Sequence, residues 1–538
     1  MKKIFQKLHK KIEKKGLSIP VVLVASVISL IAWYVTYTQN LVLVYNDAMS
    51  HINISRLVID NLQPGLSQLG SVWLPLGHIL PIPFIWNDWA WHSGFAGSIV
   101  SMISYVVAVW AIYKTVFILT KKYIASILAG LAYAVNINIL YLQATPMTES
   151  LYLALFALSV LIFVNYLTTR KENMHYLLIL GFLGFLQVLT RYDGWFVVIA
   201  QALLIVGNET FIVKRKFAES LSKVFLFGAP VVLGVGLWFL WNALIFGHPL
   251  YFAVGPYSAR AQQATIEQTA ELITKGDIIT STRAYFYAMR DNVGLYTMAL
   301  ATIALSTFFL IKSTITTVSR RLLVVFLLIS PILFNIIALF LGFSILNIPD
   351  LHWNPSGSPE GSWFNVRYGV LALPFAAILI GLFASWRKLA AIIALEIILF
   401  QVHIFSLTGA ITITDGTIGS SAFRNTDVAK VLQGHVSSED KVLMSLSTFN
   451  PVAFQSQLPL RQFIHEGVQT QWQTALINPV DHAAYVVMSS NNEGEIVRRL
   501  MLTENKAFLD VYERIYKDNE AEVYKRKAQE VAVEGGDN

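Results

Sequence analysis

The stretch KIEKKGLSIPVVLVASVISLIAWYVTYTQN, residues 11–40, joins a basic segment to a long apolar run and indicates the class of fold. The apolar part matches the ~20 residues that a helix needs to cross a bilayer. Seven lysines stand within residues 1–16, and basic residues favour the cytoplasmic side of a membrane. Because no small-x-small cleavage site follows the run, we interpret it as a retained first membrane helix behind a cytoplasmic tail.

Comparable apolar runs recur up to about residue 410, and basic clusters stand at alternate junctions between them. Only 14% of the residues are charged, against about a quarter in soluble proteins. The basic clusters orient eleven predicted transmembrane helices, with the N-terminus in the cytoplasm. Residues 17–410 are therefore predicted to form a polytopic α-helical domain of the plasma membrane with long outer loops, the first at about 41–92.

The last segment, residues 411–538, has an ordinary soluble composition and follows an odd number of crossings. Strands are predicted where β-branched and aromatic residues are frequent, in KVLMSLS, RQFIHEG, YVVMSS and LDVYERIYKDNEAEVYKRK. NTDVAKVLQGH and NNEGEIVRRLMLTE are typical of helices, the second with Asn492 as its N-cap. This segment is therefore predicted to be a small extracytoplasmic α/β domain.

The composition also disfavours several classes of function. The chain has no cysteine, which excludes disulfides, thiolate nucleophiles and cysteine metal sites. Its net charge of +7 lies in clusters that orient helices, so we predict no nucleic-acid partner. Glu396 stands nearly alone within a predicted membrane helix, whereas ion-coupled transporters use several paired charges at that depth.

The polar stretch YNDAMSHINISRLV, residues 45–58, opens the first outer loop and predicts a helix capped by Asn46. Asp47 and His51 would lie one turn apart on one side of this helix. The helix dipole by itself favours an acid in the first turn. An ionisable group is costly at membrane depth, however, so we interpret Asp47 as a functional carboxylate. His51 would either share a divalent metal ion with Asp47 or orient its carboxylate.

Two further outer loops carry acids. Glu149, in the segment TPMTES, is either part of a capping box with Thr145 or Thr148 or a functional acid. Asp193 shares the short segment TRYDGW with Arg191, and it either supports the site or only pairs with that arginine.

Three arginines, Arg191, Arg260 and Arg367, stand on the predicted outer side, where basic residues are uncommon. The planar guanidinium group binds phosphate in two-point fashion, so these residues are candidates for holding a donor phosphate. The alternative for Arg191 and Arg367 is ion pairing with Asp193 and Glu360.

An outer site of this composition has no access to cytoplasmic nucleotides. An activated substrate must therefore arrive through the membrane already attached to a lipid, as polyprenyl-phosphate sugars do. Sugar transfer needs a base for the acceptor hydroxyl and cations for the departing lipid phosphate. Asp47 and the outer arginines supply those groups.

Four motifs, in this order and on this side of the membrane, resemble the GT-C superfamily of lipid-phosphate-sugar-dependent glycosyltransferases: NDAMSH, LYLQATPMTE, TRYDG and NVRYGVLALPF. Protein O-mannosyltransferases and the bacterial aminoarabinose transferase are members of it. The resemblance covers about residues 17–410. It implies that Asp47 is the catalytic base, that Glu149 is the later acid of the family, and that Arg367 is the arginine of its Arg-Tyr pair.

The chain differs from many members of this superfamily in the first loop, where they carry two neighbouring acids. Here Ala48 and Met49 follow Asp47, so a metal site would need His51 in place of the second acid.

These patterns predict an enzyme of the cell envelope. It would move a sugar, mannose being one candidate, from a polyprenyl-phosphate donor to a hydroxyl of a protein, glycan or lipid acceptor. The alternative is a lipid-linked-sugar flippase or exporter, or a glycan-polymer ligase. A flippase would need a polar cavity open to each face in turn, and the predicted inner loops are short and basic.

Overall fold

The computed structural model describes residues 18–169, 174–255, 258–268, 271–352, 363–418, 420, 422, 426–505 and 507–528. The predicted cytoplasmic tail 1–16 and Glu360, the suggested partner of Arg367, lie outside the described residues.

Apolar helices confirm the predicted polytopic membrane fold. By length and composition, eight described helices can cross a membrane, or nine if one bent pair forms a single span. Two shorter apolar helices, Tyr123–Ala134 and Met174–Val188, coincide with the third and fifth predicted spans, so each of the eleven predicted spans coincides with a helix. The eight are Ser18–Thr38, Phe95–Thr120, Glu149–Thr168, Tyr192–Ile212, Phe217–Phe246, Val318–Phe340, Val366–Ala384 and Lys388–Thr417.

The membrane helices differ in how far the chain itself covers them. Val366–Ala384 is almost entirely buried and packs against Tyr123–Ala134. In contrast, Ser18–Thr38, Phe217–Phe246 and Lys388–Thr417 leave most of their residues uncovered. In a bilayer these exposed apolar faces meet lipid.

The bent pair consists of Ile278–Val293 and Leu295–Leu310, with a bend of 109° between them. Gly294 joins them with a φ of +95°, a conformation that favours glycine. The break leaves backbone oxygens without helical partners, and Asn138 Nδ2 donates to one of them, the oxygen of Asn292, at 3.1 Å. The first helix of the pair, Ile278–Val293, is amphipathic and lies mostly in the segment that the sequence predicted to be an outer loop.

The described chain forms two compact units. One takes its described residues from 1–43, 70–81 and 94–419, and the other takes its described residues from 44–69, 82–93 and 420–538. This grouping differs from the predicted boundaries, which assigned the whole first outer loop to the membrane domain.

Polar contacts within the second unit explain the difference. Asn53 Nδ2 donates to Asn450 Oδ1 at 2.7 Å, and Asp60 Oδ2 accepts from Leu460 N at 3.2 Å. A buried carboxylate or amide must be bonded, and these loop residues find their partners in the C-terminal segment.

The predicted helix of the first loop spans Asn46–Leu57. The prediction that Asn46 caps it is wrong, because Tyr45 occupies the N-cap position in an extended conformation and Asn46 is already helical. The helix has no apolar stripe, since its buried residues include His51 and Asn53 as well as Met49.

The C-terminal segment contains a five-stranded sheet in the order β2-β1-β3-β5-β4. The strands are β1 Val442–Leu443, β2 Phe463–Ile464, β3 Tyr485–Ser489, β4 Tyr512–Lys517 and β5 Ala521–Arg526. β1 pairs in parallel with β2 and β3, whereas β5 pairs antiparallel with β3 and β4. Each predicted strand segment contains a strand, and the last one contains the hairpin of β4 and β5.

The predicted N-cap at Asn492 is wrong. Asn492 Oδ1 accepts from Gly494 N in a local turn, and the helix begins later, at Ile496–Arg498. Glu495 is its N-cap, and its carboxylate accepts from the backbone N–H groups of Val497 and Arg498. The Glu495 carboxylate thus satisfies two N–H groups that have no partner within the helix.

Candidate functional site

The site is built around Glu149, the first residue of helix Glu149–Thr168 and fully buried. The capping-box explanation is wrong, because Thr148 occupies the N-cap position without a side-chain capping bond and the hydroxyl of Thr145 donates to Leu142 O. The carboxylate of Glu149 therefore has a role other than capping the start of this helix.

Glu149 Oε1 binds two arginines. Arg191 Nη1 donates to it at 3.0 Å and Arg367 Nε at 3.2 Å. Arg191 precedes helix Tyr192–Gly207 in extended conformation, and Arg367 lies in the 3-10 turn Val366–Ala372. The TRYDG and NVRYG motifs, far apart in sequence, thus meet at one oxygen atom.

The ring of Tyr368 lies beside both guanidinium groups. The guanidinium carbon of Arg191 is 5.3 Å from the ring centroid, and that of Arg367 is 5.0 Å away. The negative face of an aromatic ring attracts cations, which offsets part of the repulsion between two neighbouring arginines.

Two aspartates complete the cluster. Asp193 Oδ2 accepts from Arg191 Nε at 3.0 Å, which is the ion pair that the sequence offered as one explanation of Arg191. Asp415 Oδ2 accepts from Arg367 N at 3.4 Å, and Arg367 Nη1 also donates to Asn365 Oδ1 at 2.8 Å. We call Glu149, Arg191, Asp193, Arg367, Tyr368 and Asp415 the arginine cluster.

Sequence reasoning missed Asp415. It is buried in the short helix Ile411–Thr417, directly after the last predicted span. An acid within the apolar context of ITITDGT was the available signal, because a buried carboxylate requires a partner.

The backbone turn that carries Arg367 packs closely against the backbone of helix Ile278–Val293. A Cβ on Gly369 would lie 2.1 Å from the backbone oxygen of Ala288, so only glycine lets this turn approach helix Ile278–Val293. Asn292 Nδ2 on that helix donates to Val366 O at 2.6 Å. These contacts fix the backbone on both sides of Arg367.

Asp47 and His51 lie in the other unit, four residues apart on helix Asn46–Leu57. Asp47 is half-buried in the first turn, and His51 is buried. Among the described residues, no group of three or more His, Asp or Glu is placed to hold a metal ion. A divalent metal site at Asp47 and His51 therefore stays a prediction, in which these two residues would be the protein ligands.

Arg260 is exposed on helix Ala259–Glu267 and is not part of the arginine cluster. The structure thus brings together four of the sequence-predicted residues, Glu149, Arg191, Asp193 and Arg367.

Comparisons with known proteins agree on one type of fold. A family model described as dolichyl-phosphate-mannose-protein mannosyltransferase matches residues 90–238. The crystal structure of ArnT from Cupriavidus metallidurans bound to undecaprenyl phosphate has a TM-score of 0.57 and 11% identity, covering 94% of this chain and 98% of that chain. Its apo state has a TM-score of 0.54 and 11% identity, covering 95% and 98%.

The apo oligosaccharyltransferase of Archaeoglobus fulgidus is more distant, with a TM-score of 0.48 and 11% identity over 97% of this chain and 76% of that chain. No curated protein matches in sequence.

Proposed function

The chain has the fold of the GT-C superfamily of membrane glycosyltransferases. We propose that it transfers a sugar from a polyprenyl-phosphate donor to an acceptor hydroxyl on the outer face of the membrane. The similar proteins support this substrate class, since the matching family is that of dolichyl-phosphate-mannose-protein mannosyltransferases and the similar ArnT structure holds undecaprenyl phosphate.

The observation that carries the proposal is the sharing of Glu149 Oε1 by Arg191 and Arg367. Burying two guanidinium groups together costs desolvation and mutual repulsion, which a purely structural contact between helices does not require. The described hydrogen bonds of Arg191 use Nε and Nη1, so the Nη2 protons are available to an incoming oxyanion.

In this proposal Glu149, Asp193 and Asp415 hold the two guanidinium groups in place before the donor binds. Preorganised cations need no rearrangement when charge develops on the departing lipid phosphate. Arg191 and Arg367 thus stabilise the leaving group, with Arg260 as a further candidate. The three acids position them and do not themselves touch the phosphate.

Asp47 is the proposed general base. Its carboxylate lies half-exposed in the first turn of helix Asn46–Leu57, where the helix dipole favours negative charge. It would take the proton of the acceptor hydroxyl as the sugar carbon is attacked. If a divalent ion binds, Asp47 and His51 are the residues of this chain that would hold it.

The test is a transfer assay with purified full-length protein, a panel of polyprenyl-phosphate sugars and detection of released lipid phosphate. We expect Arg367→Lys to weaken donor binding at least ~10-fold, because lysine cannot form the bonds to Glu149 and Asn365 together. Arg283→Ala, which changes an exposed arginine of helix Ile278–Val293, is the matched control.

Two results would contradict the proposal. The first is that no donor of the panel releases lipid phosphate in the presence of hydroxyl acceptors. The second is that Arg191→Ala and Arg367→Ala both bind donor as tightly as the Arg283→Ala control, which would make the arginine cluster purely structural.

A further inference from the structure

A second group of basic residues surrounds a buried carboxylate, Glu209, at the other end of the helix that begins beside Arg191. Glu209 lies in the π-helical turn Asn208–Ile212, where the membrane span Tyr192–Ile212 ends. It follows Arg191 by 18 residues, which corresponds to about 27 Å along a helix. The hydrocarbon core of a bilayer is ~30 Å thick. The two charged groups therefore lie at opposite surfaces of the membrane.

Glu209 fixes two cations from separate parts of the chain. Its Oε2 accepts from Arg215 Nε at 2.8 Å and from Lys223 Nζ at 2.9 Å. Its Oε1 accepts from the hydroxyl of Tyr166 and from Asn208 Nδ2. A buried carboxylate with bonds on both oxygens is held rigidly, so it sets the positions of the basic groups that it binds.

Three further basic residues of this region have no carboxylate partner among the described residues. Arg320 is half-buried and donates from Nε to Asn208 Oδ1 at 3.2 Å and from Nη1 to Leu167 O at 3.0 Å. In the part of the chain that the structure describes, its Nη2 forms no bond, and the exposed side chains of Lys214 and Lys216 form none. We call the basic residues around Glu209 the inner basic patch: Lys214, Arg215, Lys216, Lys223 and Arg320.

The inner basic patch also lies at the start of two membrane helices. Lys216 directly precedes helix Phe217–Phe246, and Arg320 lies in the first turn of helix Val318–Phe340. Neither helix has a side-chain cap, and both pack against the turn that carries Glu209. The start of a helix carries a partial positive charge, which disfavours basic residues and favours an anion. A bound anion would offset both helix ends and the three cations that lack a carboxylate partner.

Exposed apolar side chains flank the inner basic patch. Phe211 is 78% exposed and Phe217 is 60% exposed. Helix Phe217–Phe246, which follows, leaves most of its residues uncovered for lipid. A phospholipid presents acyl chains and a phosphate at these two adjacent levels, and basic pockets between membrane helices bind such headgroups. The anion that this surface meets in a membrane is therefore a lipid phosphate.

We propose that the inner basic patch binds the headgroup of an anionic phospholipid in the leaflet opposite to the arginine cluster. The phosphate would accept hydrogen bonds from Arg320 Nη2 and from the ammonium groups of Lys214 and Lys216. The acyl chains would lie along the uncovered face of helix Phe217–Phe246. A zwitterionic headgroup binds less well, because the patch repels its cationic end. This inference is independent of the transfer reaction and of its donor.

The test titrates purified full-length protein with phosphatidylglycerol and with phosphatidylcholine and measures bound lipid by native mass spectrometry. We expect the unchanged chain to bind the anionic lipid at least ~10-fold more tightly than the zwitterionic lipid, because each charge-assisted hydrogen bond contributes on the order of a tenfold factor. The double variant Lys214→Gln/Lys216→Gln and the variant Arg320→Gln should each bind phosphatidylglycerol at least ~10-fold more weakly for the same reason.

Lys312→Gln/Lys388→Gln is the matched control. Both lysines are exposed and lie outside the inner basic patch, on the same predicted side of the membrane, so the control removes the same charge and should keep the affinity. Lys214 and Lys216 form no side-chain bond with the described residues, so their double variant should keep the thermal midpoint of the unchanged chain. This separates lost binding from misfolding.

Four results would overturn the proposal. They are equal affinity of the unchanged chain for both lipids, unchanged affinity in both patch variants, and equal weakening in the control, which would indicate general surface charge. The fourth is displacement of phosphatidylglycerol by an equal concentration of inorganic phosphate, which would make this a site for free phosphate.

Discussion

At the scale of the residue, buried carboxylates determine where the arginines of this chain point. Glu149 is fully buried and binds two guanidinium groups that lie 176 positions apart in the sequence, Arg191 and Arg367. Asp193 pairs with the guanidinium group of Arg191, and Asp415 accepts from the backbone N–H of Arg367 and lies 3.9 Å from its Nη1. The sequence singled out these charged residues because isolated charges on the outer side are unusual. It could not predict which of them contact one another, since a guanidinium group can pair with any nearby acid.

The first prediction concerns Asp47. Asp47→Asn should reduce transfer by ~10²–10⁴-fold, because the nearly isosteric amide cannot accept the hydroxyl proton. Donor binding and thermal stability should stay close to those of the unchanged protein. Asp88→Asn makes the same chemical change at an exposed acid of the same loop and should leave transfer nearly intact. Transfer by Asp47→Asn above about a tenth of the normal rate would rule out its role as the base.

His51→Ala separates the two explanations of His51. If His51 and Asp47 hold a divalent ion, the variant should lose transfer and regain it with excess metal, while chelators inhibit the unchanged protein. If His51 only orients Asp47, the loss should be smaller and insensitive to added metal.

At the scale of the element, side-chain amides stabilise the break between Ile278–Val293 and Leu295–Leu310. Asn138 Oδ1 accepts from Thr412 N at 3.1 Å, and its Nδ2 donates to the last carbonyls of the first helix. One buried amide thus connects the break to the helix that carries Asp415. Sequence periodicity located the span but could not show the break.

The second prediction follows from these bonds. Asn138→Ala removes the bonds that this buried side chain makes with Thr412 N and Asp291 O, and it should lower the free energy of unfolding by about 1–3 kcal/mol, seen as a lower thermal midpoint in detergent. Asn165→Ala is the control, because among the described residues Asn165 Nδ2 bonds within its own helix, to Leu161 O. Equal midpoints for the two variants would show that Asn138 does not support the break.

In the C-terminal sheet, Glu522 on β5 is surrounded by donors. Burial raises the pKa of its carboxyl group, but hydrogen bonds from Tyr524, Lys517 and Arg514 outweigh burial and lower that pKa to about 2. A depressed folded-state pKa means that the ionised group stabilises the fold above the ordinary glutamate value of 4.5, and this stability is lost as the pH falls toward 2.

The third prediction is therefore a pH dependence. Amide hydrogen exchange in β3 and β5 of the full-length protein, corrected for intrinsic rates, should accelerate as the pH falls from 5 to 3. Glu522→Gln should exchange faster than the unchanged protein at pH 6 and show a weaker acceleration. The idea fails if both proteins respond equally to pH.

At the scale of the whole molecule, the pattern of basic clusters still predicts that the N-terminus is cytoplasmic and that residues 411–538 are extracytoplasmic. The fourth prediction tests this topology with the Ile477→Cys variant, whose site is exposed in the C-terminal unit. A membrane-impermeant maleimide should label it in intact cells. Labelling that requires lysis would place the C-terminal segment in the cytoplasm and contradict the outer site.

The sequence by itself determined the membrane class, the positions of the eleven apolar helices, the strand segments of the C-terminal sheet and the identity of Glu149, Arg191 and Arg367 as unusual charges. Hydropathy, strand propensity and charge are sums over neighbouring residues, so they can be read locally. Only the tertiary structure decided that Arg367 meets Glu149 across 218 positions, that Asp415 joins them, and that residues 44–69 form one compact unit with the C-terminal segment. Such contacts depend on which buried polar groups can satisfy one another in space, and no local pattern specifies that choice.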